Sequence, residues 1–175
     1  MMELLRLYGQ IALLRRGPQD VPASPALLAA TVLAFFAINC AVSFIMPPVP
    51  GPWVMHLVVE VVCLLAWYAV LLRAVKKPER FLQTATALFG YQLVLSPLLI
   101  ASSWLVQRMQ QQPDSPLLLP VVVLALGLAI WLLAAGGHIV KSALEWTTPA
   151  SIAMVILQIL ATQVLLFALF PTPTP

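Results

Sequence analysis

Charged residues are scarce in this chain: Asp, Glu, Lys and Arg make up 9% of its 175 residues, whereas a soluble domain carries about 25%. Hydrophobic residues make up 62%. A soluble domain of about 150 residues buries only about 70% of the surface that its unfolded chain exposes, so much of this apolar surface would stay in water. The composition therefore excludes a soluble domain and a disordered chain, and it predicts that a lipid bilayer is the main solvent.

Cysteine, histidine and acidic residues are also few, which restricts the chemistry. The two cysteines lie inside apolar runs and form no CxxC or Cys/His cluster, which argues against a zinc site or a disulfide framework. His56 and His138 differ in predicted depth by about 20 Å, too far apart to ligate one haem iron. No Ser/His/Asp arrangement, glycine-rich phosphate loop or pair of catalytic acids is visible. We therefore expect no catalytic residue, no metal, no cofactor and no enzymatic activity.

Proline is abundant, and 15 of the 16 prolines separate or end the apolar runs. Five runs are long enough to cross a hydrocarbon layer of about 30 Å as helices. They are Pro25–Met46, Trp53–Val75, Phe81–Gln107, Leu117–Val140 and Pro149–Phe170. This pattern predicts an all-α polytopic bundle of five transmembrane helices over residues 25–170. Residues 171–175, a Pro-Thr tail, end the last span.

Basic residues mark the orientation, because Lys and Arg accumulate in cytoplasmic loops. One side collects Arg6, Arg15, Arg16, Arg73, Lys76, Lys77, Arg80 and Lys141, and the other has only Arg108. This split predicts a multi-pass protein of the bacterial inner membrane, with a cytoplasmic N-terminus and an external C-terminus. The basic residues form no dense patch, so we expect no nucleic acid partner.

Residues 1–18 form a predicted amphipathic helix that lies at the membrane interface. At 100° per residue, Glu3, Arg6 and Gln10 share one face, and leucine and isoleucine occupy the rest. Such a helix packs either on anionic lipid or on the protein, and the pattern does not distinguish the two.

Glu60 is the one acidic residue clearly inside a span, and an ionisable group there is a functional candidate. His56 lies one turn earlier on the same helix. Asn39 and Gln163 fall at a similar depth, about 10 Å below the outer boundary. These four residues form a candidate polar site. It is either a site for a proton or cation in an outward-facing cavity, or a set of hydrogen bonds that holds helices together.

Small residues and proline indicate where helices pack or bend. Ala30 and Ala34 belong to a stripe of alanines on the first span, and Gly136 and Gly137 lie near the end of the fourth. Pro97 removes a backbone hydrogen bond from the third span and predicts a kink, with Ser96 or neighbouring helices satisfying the freed carbonyl. The predicted packing or hinge positions are Ala30, Ala34, Pro97, Gly136 and Gly137.

Two stretches resemble the Yip family of five-span membrane proteins, named for interaction with Rab GTPases. Phe89-Gly90-Tyr91-Gln92-Leu93 and Ser96-Pro97-Leu98-Leu99 resemble the third span, and the segment from Trp131 through Lys141 and Leu144 into the fifth span resembles the last two helices of bacterial members. The resemblance covers roughly residues 81–170, and residues 13–20 resemble the opening of small bacterial members. It implies a five-helix bundle with a cytoplasmic N-terminus and supplies no reaction or active residue. The GTPase partner is not expected, because this chain shows no long N-terminal region.

Two functions follow from these observations as hypotheses. The first is a non-enzymatic membrane protein that packs against a membrane-protein partner or a second copy, or that organises lipid; Glu60→Gln then leaves function nearly intact. The second is a small transporter or channel component that uses the polar site around Glu60.

Overall fold

The computed structural model describes residues 2–45, 53–111 and 116–170, and within these ranges the secondary structure is helical with no strand. The six α-helices are α1 (Met2–Ala12), α2 (Pro25–Ile45), α3 (Trp53–Ala74), α4 (Phe81–Gln110), α5 (Leu118–Leu144) and α6 (Thr148–Leu169). Five of them, α2 to α6, are long and apolar enough to cross a membrane. The prediction of an all-α bundle with five spans is confirmed. The predicted tail, residues 171–175, lies outside the described residues.

Helix α4 is the centre of the bundle. Its residues from Thr84 to Tyr91 are buried on every side. Helices α2 and α5 pack directly on α4, α6 packs on α5, and α3 touches mainly α6 and α4. This order explains why the third span tolerates more polar residues than the others: protein surrounds it, and lipid does not.

Helix α1 packs on the protein through one face. Tyr8, Ile11 and Ala12 are buried there, and the Tyr8 hydroxyl is 2.7 Å from the Thr31 hydroxyl of α2. The indole Nε1 of Trp131 in α5 donates to the Ala12 carbonyl at 2.8 Å. Leu7 and Leu14 are partly buried against the core, whereas Leu5 and Leu13 are exposed. The question left open by the sequence is thus answered for the buried face, which contacts α2, α4 and α5.

The helix is shorter than the predicted segment 1–18, because the chain turns after Ala12. Leu14 adopts a left-handed conformation with φ 60°, and the Arg15 N–H donates to the Gln10 carbonyl at 2.9 Å. This six-to-one hydrogen bond is the usual way for a helix to end, although glycine normally occupies the left-handed position. A short 3₁₀ turn, Pro18–Asp20, then leads to α2.

The carboxyl end of α5 is held by the turn between α3 and α4. Arg80 donates to the Ala143 carbonyl at 3.0 Å, and Lys77 donates to the Leu144 carbonyl at 3.3 Å. The Glu145 carboxylate lies 2.8 Å from Lys77 Nζ and 2.7 Å from Arg80 Nη2. Cations at the last carbonyls of a helix satisfy groups that have no partner within the helix. The turn therefore joins two hairpins of the bundle at one end.

Gly90→Ala tests the packing of α1 on α4. A Cβ at Gly90 would overlap the Tyr8 ring, whereas a Cβ at Gly127 meets no atom within 4 Å. We expect Gly90→Ala to lower stability by about 1–3 kcal/mol, as overpacking does. We also expect faster trypsin cleavage after Arg6 and Arg15, which are exposed but lie on a segment that α1 holds against the bundle. Thermal unfolding and limited proteolysis in detergent measure both effects. Gly127→Ala is the matched control, and equal melting temperatures and digestion rates in the two variants would contradict the packing.

The ion pairs of Glu145 make the stability of the fold depend on pH, and the structure predicts the sign of this dependence. Hydrogen bonds from Lys77 and then Arg80 hold the pKa of the Glu145 carboxyl below its ordinary value. A group whose pKa is lower in the folded state stabilises the fold above its unfolded pKa, about 4.3 for Glu. That contribution is lost as the pH falls through the folded value.

We therefore expect Glu145→Gln to flatten the acid limb of the melting temperature measured between about pH 3 and pH 7. Glu79→Gln is the control. Glu79 is an exposed acid in the turn between α3 and α4, and it makes no ion pair in the described structure. An unchanged acid limb in Glu145→Gln would mean that the ion pairs do not stabilise this end of the bundle.

Candidate intramembrane polar site

Two small adjoining cavities lie where α3 faces the central helix. The first, of about 160 Å³, reaches Asn39 of α2, and the second, of about 230 Å³, reaches Gln158 and Gln163 of α6. Glu60 and Gln92 line both cavities, and so does Leu132. Because α3 packs less closely than its neighbours, the space between α3 and α4 is left open to these polar side chains.

Glu60 is the residue around which the two cavities meet. It lies about 10 Å along α3 from Trp53, at 1.5 Å per residue, and its side chain is exposed. Within the described ranges, Glu60 makes neither a hydrogen bond nor an ion pair. A carboxyl group in a membrane span without a partner carries an uncompensated free-energy cost. The site therefore has an unused acceptor facing polar space.

The polar groups that share the two cavities with Glu60 are neutral amides and hydroxyls, and the rest of the lining is apolar. The Asn39 amide donates to the Phe35 carbonyl of its own helix at 2.8 Å, so this donor is not directed at Glu60. Ser96 is 7% exposed, and its Oγ finds no partner in the part of the chain that is described. One carboxylate with amide and hydroxyl oxygens balances a single positive charge. Hard oxygen ligands of this kind suit a proton or an alkali cation.

Gln158 takes part through a bond within α6. Its Nε2 donates to the Thr162 hydroxyl at 3.2 Å, and both side chains are buried. This bond orients the amide, so the carbonyl oxygen of Gln158 is left as an acceptor. Gln163, the residue after Thr162, lines the cavity of about 230 Å³ together with Gln158 and is exposed.

His56 does not join the cavities. Its ring packs against Phe170, with ring centroids 4.5 Å apart, and its Nε2 is buried without a hydrogen bond partner among the described residues. The spacing of His56 and Glu60 permits a contact along α3, but no hydrogen bond or ion pair joins them within that described part. The aromatic contact at the end of α6 holds the imidazole away from Glu60. The structure thus brings together Asn39, Glu60 and Gln163, and it separates His56.

Gln92 is a site residue that the sequence reasoning missed. It precedes Ser96 by four residues, so the two side chains lie on one face of α4. That spacing is a usable signal, because two polar residues one turn apart on a buried helix form one polar face. Gln158 carries the same kind of signal with Thr162 on α6.

Gly136 and Gly137 permit close helix contacts. A Cβ on Gly136 would lie 3.1 Å from the Tyr91 hydroxyl oxygen, and one on Gly137 would lie 2.8 Å from Ile152 Cγ1. Both glycines are buried where α5 meets α4 and α6. They lie at packing positions within the continuous helix α5.

The other predicted packing residues differ from one another. Ala34 packs against the core, whereas Ala30 is exposed on the outer side of α2, as are the alanines at 26, 37 and 41. Pro97 lies inside α4, which continues as one helix from Phe81 to Gln110. Ser96 does not supply the hydrogen bond expected for the carbonyl that Pro97 frees, because its Oγ is unpaired.

No protein-family model, curated protein or solved structure matches the chain.

Proposed function

We propose that the protein is a non-enzymatic, multi-pass protein of a bacterial inner membrane, with its N-terminus in the cytoplasm and its C-terminus outside. Five long apolar helices support the membrane environment. The accumulation of eight of the nine basic residues at one set of helix ends supports the orientation. The resemblance to small bacterial members of the Yip family supports the compartment and the five-span plan.

We further propose that the protein is a small transporter or channel component whose cavities around Glu60 bind a proton or a monovalent cation. One observation carries this proposal: Glu60, unpaired in the described structure, faces two cavities in which amide and hydroxyl groups lie beside apolar side chains. An intramembrane carboxyl group is costly, and a bound cation or proton removes that cost. The charge of the site and the charge of the ligand then cancel.

The alternative role of Glu60 as a link between helices predicts different contacts. A structural carboxyl group would accept hydrogen bonds from Asn39 or Gln163. Instead, the Asn39 amide bonds within α2 at 2.8 Å, and the described contacts include no bond between Gln163 and Glu60. The geometry thus favours an available carboxyl group over a structural one.

Glu60→Gln tests this function in liposomes loaded with a pH-sensitive dye. We expect the wild-type protein to dissipate an imposed pH gradient, or to do so only with Na⁺ or K⁺ present, because Glu60 binds the ion. We expect the flux through Glu60→Gln to be at least tenfold lower than through the wild-type protein, since the amide cannot take up a proton or balance a cation. Glu79→Gln makes the same chemical change in the exposed turn and should leave the flux unchanged.

Equal flux in the wild-type protein and Glu60→Gln, with both variants folded, would contradict the proposal. Absence of flux in the wild-type protein would contradict transport by this chain alone.

A second candidate function is packing against a membrane partner or a second copy. The first half of α5 favours it, since residues 118–131 are exposed on nearly every side. Leu119, Val123 and Leu126 are 72%, 60% and 59% exposed. Purification from native membranes should then recover a stoichiometric partner or a homo-oligomer, and Ala129→Trp on this exposed half should release it. Recovery of a monomer alone would contradict this function.

A further inference from the structure

An apolar groove of about 570 Å³ runs between α3 and α6 on the outside of the bundle. Its α3 side follows one helix face through Cys63, Val70 and Ala74, and its α6 side includes Leu157 and Ala161. Small side chains on both helices make the hollow. The groove does not include Glu60 and is separate from the polar cavities.

The length of the groove matches one leaflet. From Cys63 to Ala74 the groove follows α3 for about 16 Å at 1.5 Å per residue. Half of a hydrocarbon layer of about 30 Å is nearly the same length. The groove is therefore long enough to hold a single acyl chain from the middle of the membrane to the end of α3.

Positive charge gathers at the end of the groove that Ala74 marks. Arg73 and Lys76 are exposed there, and neither makes an ion pair within the described ranges. The adjacent Glu145 carboxylate is already paired with Lys77 and Arg80. The cations at 73 and 76 are therefore available to an anion.

Helix α6 adds to this charge, because it begins at the same end of the groove. The antiparallel pairing of α3 with α6 places Ala74 beside Met154, near the first turns of α6. Thr147 precedes α6 without a side-chain hydrogen bond to its first turn. Pro149 has no N–H and the Ser151 N–H donates to the Thr147 carbonyl at 3.1 Å, which leaves the N–H groups of Thr148 and Ala150 at this helix start. Such N–H groups carry partial positive charge and favour phosphate.

We propose that this groove binds one anionic phospholipid, with an acyl chain between α3 and α6 and its phosphate near Arg73, Lys76 and the start of α6. Charge complementarity chooses an anionic lipid over a neutral one, since basic clusters beside a span attract anionic headgroups. This site differs from the proposed cation site in location, charge and ligand.

Native mass spectrometry of the full chain tests the proposal, with equal amounts of phosphatidylglycerol and phosphatidylcholine added in mild detergent. We expect one phosphatidylglycerol to be retained in preference to phosphatidylcholine. Arg73→Gln with Lys76→Gln should weaken retention by about fivefold for each basic residue removed. Arg15→Gln with Arg16→Gln removes the same charge from an exposed site outside the groove and should have no such effect.

Two groove-filling variants test the acyl site directly. Ala161→Phe and Val70→Trp lie at exposed positions of the groove, and each should displace the lipid while the melting temperature without lipid stays near that of the wild type. Equal retention of the two lipids, or equal losses in the two double variants, would overturn the proposal. A change in oligomeric state in the filled variants, with lipid retention unchanged, would instead assign the groove to a second copy.

Discussion

The interior of a bilayer offers no hydrogen bonds, and the rest of the structure depends on this constraint. Helices satisfy their backbone groups internally, so five long helices are the solution that the composition permits. Polar side chains follow the same rule: Asn39 bonds to its own helix, Gln158 bonds to Thr162, and the Tyr8 hydroxyl meets Thr31. At the carboxyl end of α5, Lys77 and Arg80 supply donors to the last carbonyls.

The groups around Glu60 depart from this rule, as do His56 Nε2, Trp67 Nε1 and Thr86 Oγ1 among the described residues. Glu60 and the Ser96 hydroxyl have no partners in the described structure, and both line the cavity that reaches Asn39. Leaving a carboxyl group unpaired in a membrane is expensive, and helix packing could remove the cost by closing α3 onto α4. The bundle instead contains two cavities beside Glu60 at this level. The proposed binding role gives these cavities a use.

The depth of each polar residue in the membrane was predictable from the sequence, whereas the rotation of each helix about its own axis was not. The rise of 1.5 Å per residue placed Asn39, Glu60 and Gln163 at one level, and the structure groups them around adjoining cavities. The facing direction of a helix could not be predicted in the same way, because lipid and core are equally apolar. Ala30 therefore faces outward although Ala34 packs against the core, while Gly136 and Gly137 face inward. The turn of His56 toward Phe170 depends on the end of α6, more than 100 residues away in the sequence.

Water accessibility at position 60 tests the central claim most directly. In a background with Cys40→Ser and Cys63→Ser, Glu60→Cys and Val62→Cys are compared for reaction with a membrane-impermeant thiol reagent. Val62 lies two residues along α3 and is 57% exposed on the apolar exterior. A hydrated polar cavity predicts that Glu60→Cys reacts and that Val62→Cys does not. Equal protection of both positions would mean that Glu60 faces a dry interior, and the cation site would then be wrong.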